Sequence, residues 1–201
     1  YPKMSSTLII FLGALSLFVG GWGGLNQPHL RKIMAFSSIA HLGWMIIVML
    51  YLPSLTQLNL LVYLLMTSSL FMVMMNLQTT NMNKLTSSWM KNFPLFSTMT
   101  IILMSLGGLP PMSGFIPKWV ILEELIKQNM TPLAVFAVIS TLLSLFFYLR
   151  LSYITSLTTS PSPLNSKLMW RLKMNPNPTT PLMIIMSIML LPISSSIISL
   201  M

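Results

Sequence analysis

Few side chains here can do chemistry, and Lys118 has the most to explain. It lies in Gly107-Gly108-Leu109-Pro110-Pro111-Met112-Ser113-Gly114-Phe115-Ile116-Pro117-Lys118-Trp119, with long apolar stretches on both sides. An ammonium in the hydrocarbon core costs roughly 2.5–3.5 kcal/mol even on a lenient insertion scale, and marks a functional position. The chemistry open to such a group is proton exchange. Gly107, Gly108, Pro110, Pro111 and Gly114 break the helix ahead of it, and broken backbone at membrane depth persists only where protein buries it or water wets it. Lys118 falls in the first turn after the break, where the helix dipole and desolvation oppose its charge while free carbonyls and trapped water favour it. A group balanced between opposing influences gains and loses a proton when a nearby charge changes. The plain alternative is a lysine snorkelling to the interface. Ten residues separate it from Gln128, about 15 Å of helix, which is too deep for that.

A second candidate is His41, near the middle of an apolar run, with Ser37 and Ser38 one turn earlier on the same face. A histidine titrating near neutrality can relay protons through water and hydroxyls, and it can equally well hydrogen-bond a neighbouring helix. Glu123 and Glu124 lie toward the far end of the Lys118 segment, either pairing with Lys127 at the rim or standing at a proton exit. His29, Arg31 and Lys32 read as orientation signals. Trp44 and Trp119 read as packing residues. The glycines at 20, 21, 23, 24 and 43 suit close helix approach, and none has phosphate-loop spacing.

The elements that position these residues are membrane helices. Of 201 residues, 54% are hydrophobic and 6% charged, against roughly 25% charged in soluble domains; the mean hydropathy is +0.79. The fold class is therefore an all-α integral membrane protein, forming a single membrane domain over residues 1–201. The net charge of +9 does not indicate a nucleic-acid binder, because the basic residues sit between apolar runs. With no cysteine, disulfide, iron–sulfur and thiolate-zinc chemistry are excluded for this chain. Two adjacent carboxylates and two histidines are a poor kit for metal binding or hydrolysis.

Runs long enough to span fall at residues 4–22, 30–52, 55–77, 131–153 and 181–201. Residues 93–128 read as a sixth crossing made of two half-helices joined by an unwound stretch from Pro110 to Gly114. The total is about six transmembrane segments, one discontinuous. Charge supports this count. With the broken segment counted once, Arg31, Lys32, Lys84, Lys91, Arg150, Lys167, Arg171 and Lys173 share one side, as the positive-inside rule requires. The stretch holding Lys167, Trp170, Arg171 and Lys173 reads as a solvated basic loop or as a short interfacial helix favouring anionic lipid. Trp22, Trp89, Trp170, Tyr148 and Tyr153 lie near predicted span ends and are expected in the aromatic belt. The chain starts at Tyr1 with no presequence pattern and is expected to be a fragment. Its 20 methionines hint at translation inside mitochondria.

Three stretches carry a family resemblance: Gly-Gly-Trp-Gly-Gly-Leu-Asn-Gln at 20–27, Leu-Arg-Lys-Ile-Met-Ala-Phe-Ser-Ser-Ile-Ala-His-Leu-Gly-Trp at 30–44, and the 107–119 motif. In order and spacing, through Tyr148-Leu149-Arg150-Leu151, the chain resembles the chain 2 family of mitochondrial NADH:ubiquinone oxidoreductase, among the antiporter-like membrane subunits of respiratory complex I. The resemblance implies the second of two inverted repeats over residues 4–153 plus a final helix at 181–201, with an N-terminal half absent. It implies a non-redox subunit of a proton-translocating NADH:ubiquinone reductase, in which Lys118 exchanges protons with the intermembrane-space side; His41 stands beside it as the candidate relay on its residue type and position alone. NADH, FMN, iron–sulfur clusters and ubiquinone would be held by other subunits and no cofactor by this chain. The partners implied are other membrane-arm subunits and lipid, with no nucleic acid, in the mitochondrial inner membrane with basic loops facing the matrix. Against this stand a structural or assembly subunit, in which the break is a packing device, and a stand-alone cation/proton antiporter.

Overall fold

The computed structural model describes residues 3–88, 93–110, 112–157 and 179–200. Eight helices account for nearly all of them: α1 (Lys3–Gly23), α2 (Leu30–Met49), α3 (Pro53–Leu77), α4 (Met82–Ser88), α5 (Phe93–Gly107), α6 (Phe115–Lys127), α7 (Thr131–Leu157) and α8 (Thr179–Leu200). The protein is all-α, as its composition requires. Segments Ser6–Gly23, Leu30–Met49, Pro53–Leu77 and Thr131–Ser156 are long and apolar enough to cross a membrane. Pro111, Trp89, Lys91 and the basic stretch with Lys167, Trp170, Arg171 and Lys173 lie outside the described residues.

The helices pack through small residues and leave a lipid-like exterior. Gly20 lies directly against the backbone of Ala40, so α1 and α2 approach closely. The outer face of α1 presents Leu8, Phe11, Leu12, Leu15 and Val19. Exposed leucines and phenylalanines of this kind suit hydrocarbon or a neighbouring helix, where water gives no reason to hide them.

Two apolar clusters fix the order of elements along the bundle. In one, Leu30, Ile33 and Met34 from the start of α2 meet Met99, Ile102 and Leu103 of α5 and Phe147, Tyr148 and Leu151 near the end of α7. In the other, Ile47 and Val48 from the end of α2 meet Leu55 of α3, Ile121 and Leu125 of α6 and Ala134 and Ala137 of α7. The chain from Phe93 to Lys127 therefore travels once along the bundle, α5 at one level and α6 at the next. At 15 and 13 residues, neither reaches the roughly 20 residues a crossing needs. The geometry is that of one crossing in two halves.

The start of α2 is held from two sides. Leu30 N–H donates to Thr80 O and Met82 N–H to Pro28 O, at 3.2 and 3.3 Å, joining the start of α2 to the turn after α3. The guanidinium of Arg150, on α7, donates to the carbonyl of Leu25 at 2.8 Å, tying the α1–α2 turn to the same end of the bundle.

Candidate functional site at the helix break

The break begins with the way α5 stops. A helix leaves its last four carbonyls without internal partners. In α5 those belong to Met104, Ser105, Leu106 and Gly107. Leu109 N–H donates to Met104 O at 3.5 Å and Gly108 N–H to Ser105 O at 3.0 Å, the paired bonds of a Schellman ending. That ending needs a left-handed residue, and Gly108 supplies it at φ +81°. The Leu106 and Gly107 carbonyls are left over.

Lys118 takes both. Its Nζ donates to Leu106 O at 3.2 Å and Gly107 O at 3.1 Å. The ammonium on the first turn of α6 is thus the cap that completes the end of α5, and a cation near a helix C-terminus is favoured by the dipole as well. From residue types the opposing dipole of α6 is foreseeable. The free carbonyls at the end of α5 are foreseeable too; which two of them the ammonium reaches becomes evident only once the two half-helices are placed. Gly114 allows the approach: a Cβ there would lie 2.0 Å from the Ser105 carbonyl oxygen.

His41 stands on the other side of this lysine. The ring is buried, packs on Tyr63 with centroids 4.6 Å apart, and its Nδ1 has no hydrogen-bond partner. A cavity of about 10 Å³ lies between His41, Lys118, Ser140, Ser144 and Tyr148, and the charge of Lys118 acts on the ring. Two candidates from different helices, 77 positions apart by their numbers, thus share one small polar space. Ser37 and Ser38 do not bond to His41. Their hydroxyls donate back to Met34 O and Ala35 O, each at 2.7 Å.

Glu123 and Glu124 are engaged elsewhere. Glu123 pairs with Lys127 at 3.0 Å, largely in the open, and Glu124 accepts from Gln128 Nε2 at 3.2 Å. Glu123 does line, with Lys118, Trp119 and Leu145, an open and mainly apolar groove of about 600 Å³. His29 Nδ1 lies 2.8 Å from Asn81 Oδ1, at the far end of α2.

Tyr148 departs most from expectation. Placed by sequence in the aromatic belt, it is only 1% exposed and packs against Gly107 at the end of α5. Trp22 and Tyr153 are about 60% exposed, as belt residues should be. The signal that separates them is register on α7: Tyr148 follows Ser144 by four residues and so shares its face. Ser140 and Ser144 themselves were missed because serines in an apolar helix usually bond back to their own turn, as both do here.

Comparison with known proteins is decisive at this point. The model of the NADH:quinone oxidoreductase/Mrp antiporter transmembrane family matches residues 1–144, which includes α2, the break and Lys118. The chain belongs to this family. A second model, the NADH dehydrogenase subunit 2 C-terminus, matches residues 145–198. NADH-ubiquinone oxidoreductase chain 2 of Tetraodon nigroviridis is 52% identical over 195 residues, covering 96% of this chain and 56% of that protein. Chain 2 of Sylvisorex granti is 48% identical and covers 100% and 58%. The chain thus spans somewhat over half the length of these relatives. Among solved structures, a chain of respiratory complex I from Thermus thermophilus with bound aureothin superposes with TM-score 0.70 at 26% identity, covering 92% of this chain and 44% of that one. A chain of the Mrp complex from Dietzia sp. shares the fold, with TM-score 0.62 at 18% identity over 74% of this chain and 29% of that one. The antiporter-family fold is therefore retained in the part of the relatives that this chain represents.

Proposed function

We propose that the chain forms part of a membrane subunit of a proton-pumping NADH:ubiquinone oxidoreductase, contributing a half-channel whose proton carrier is Lys118 and whose relay is His41. The single observation that carries this reading is an ammonium held in the gap of a broken helix, across a cavity from a buried imidazole. In this mechanism electron transfer from NADH to ubiquinone occurs in other subunits, which hold the flavin, the iron–sulfur clusters and the quinone. This chain works without redox chemistry of its own. A charge change upstream alters the balance at Lys118, which passes a proton toward or takes one from the His41 side while its stem stays anchored in α6.

Residues 4–153 correspond to the second of two inverted repeats, and the first must come from the upstream part of the relatives. The partners are then other membrane-arm subunits of complex I, the location is the mitochondrial inner membrane, and the end of the bundle bearing Arg31, Lys32, Lys84 and Arg150 faces the matrix. By charge alone, Lys167, Arg171 and Lys173 would favour anionic lipid.

The cap on α5 favours a second reading, in which Lys118 is structural. One experiment separates the two. In the assembled complex, Lys118→Met should leave NADH oxidation coupled to quinone reduction but lower the protons moved per electron pair. Unchanged pumping stoichiometry in a normally assembled variant would leave only the structural role.

A further inference from the structure

An ammonium at membrane depth is stabilised by a nearby anion, and this chain has none to give it. Its only side-chain carboxylates are Glu123 and Glu124; the first pairs with Lys127 and the second accepts from Gln128. Two of the three N–H groups of Lys118 go to the Leu106 and Gly107 carbonyls. Those acceptors are neutral, so the charge itself is unmatched. The side chain is only half-buried, and it forms part of the wall of the groove of about 600 Å³ beside α6 and α7.

The lining of that groove narrows the ligand. From Lys118 it runs along Trp119, Leu122 and Ile126 of α6 and Val138 and Leu142 of α7. Trp119, Ile126 and Leu142 are more than half exposed, so the groove opens sideways, where a membrane protein meets hydrocarbon. Lys118 and Ile126 are eight residues apart, about 12 Å of helix. Glu123 stands at the rim with its charge offset by Lys127. One cation at the inner end of an apolar trough matches a molecule with one anionic head and one apolar tail. Depth selects the head. A phosphodiester stays charged and hydrated at the interface, whereas a carboxylic acid can take up a proton and enter apolar surroundings as a neutral molecule.

We propose that Lys118 and the groove beside α6 and α7 bind a single-chain fatty acid drawn from the bilayer, its carboxylate on the third N–H of Lys118 and its tail against Trp119, Leu122 and Leu142. When a neutral acid meets the neutral amine, the acid O–H bond breaks and the third N–H bond forms, leaving an ion pair. An occupied groove closes the open side of the break with hydrocarbon and holds the lysine charged. The site goes beyond the pumping role and stands whether or not Lys118 carries protons.

The probe is palmitic acid bearing a diazirine at mid-chain, added to membranes that hold the assembled complex, with its methyl ester as the control. Light should attach the acid to peptides of α6 and α7. The ester cannot form the ion pair and should label them about tenfold less at the same sub-saturating concentration, the loss of one charge-assisted hydrogen bond. Lys118→Met should lose the labelling, and Lys118→Arg, which keeps charge and donors, should retain it. Equal labelling by acid and ester would mean that any bilayer chain fills the groove, and no labelling by either would mean that a neighbouring helix does; each overturns the proposal. The acid and ester are compared on the unmodified complex, so a variant that fails to assemble leaves the test intact. Normal pumping by Lys118→Met beside lost labelling would remove the carrier assignment and leave the fatty-acid site standing.

Discussion

Replacing Lys118 by methionine removes the cap and the charge together, and the structure allows the result to be worked out. The Leu106 and Gly107 carbonyls lose their donors, at about 1–3 kcal/mol each, or roughly 2–6 kcal/mol. In return the protein no longer holds an ammonium at membrane depth, which recovers about 2.5–3.5 kcal/mol. The net lies between about 1.5 kcal/mol of stabilisation and about 3.5 kcal/mol of loss, so the Met variant should assemble with at most a modest fall in thermal midpoint. Lys118→Arg gives the contrast. The open groove beside Lys118 has room for a guanidinium, whose donors can keep both carbonyls paired, yet arginine does not release a proton. The Arg variant should therefore match the parent in thermal denaturation of the purified complex and fall with the Met variant in protons per electron pair. Normal pumping by the Arg variant would refute the reasoning, because Lys118 would then act only as a fixed charge.

Other substitutions test the scaffold. Gly114→Ala places a Cβ 2.0 Å from the Ser105 carbonyl oxygen, a backbone atom that cannot swing aside, and should cost about 1–3 kcal/mol together with pumping, read as reduced assembly and a lower proton ratio. Arg150→Met strips the donor from the Leu25 carbonyl and should destabilise by about 1.5–3 kcal/mol with the proton ratio intact in whatever complex assembles. Glu123→Gln breaks only an exposed pair with Lys127 and should change neither assembly nor pumping; a pumping defect there would make the carboxylate part of the path.

The helices were legible because hydropathy and length alone decide what can cross a bilayer, and the spans read at residues 30–52 and 55–77 correspond to helices Leu30–Met49 and Pro53–Leu77. The break was legible for a different reason: Gly108 and Pro110 remove the local means of continuing a helix. The half-helix was expected to end near Leu109, and it ends at Gly107 because the left-handed turn falls on Gly108. Tyr148 was misread because distance from a span end says nothing about rotation around the helix. Register with Ser144 on α7 gives its face, while the contact that this face makes with the end of α5 lies outside any local pattern. Arg150 shows the same limit, since its charge is visible as a topology signal but the Leu25 carbonyl it meets is 125 residues away.

Capping and the proposed proton carriage compete for one lysine if a side chain fixed on two carbonyls is ill placed to exchange a proton. The count of N–H groups removes the conflict. A charged Lys118 spends two of three on α5, and the neutral amine still has two. The cap therefore survives deprotonation in number and weakens only in strength, charge-assisted bonds being roughly twice as strong as neutral ones. A lysine in an unbroken helix would have no free carbonyls to hold its amine in place once neutral, and would have to be positioned by solvent alone. The break supplies fixed acceptors beside the His41 cavity, and under the proposed carrier role these would keep the nitrogen there in both protonation states. That is a physical reason for the glycine at 108, the close approach at Gly114 and the lysine four residues later to occur together.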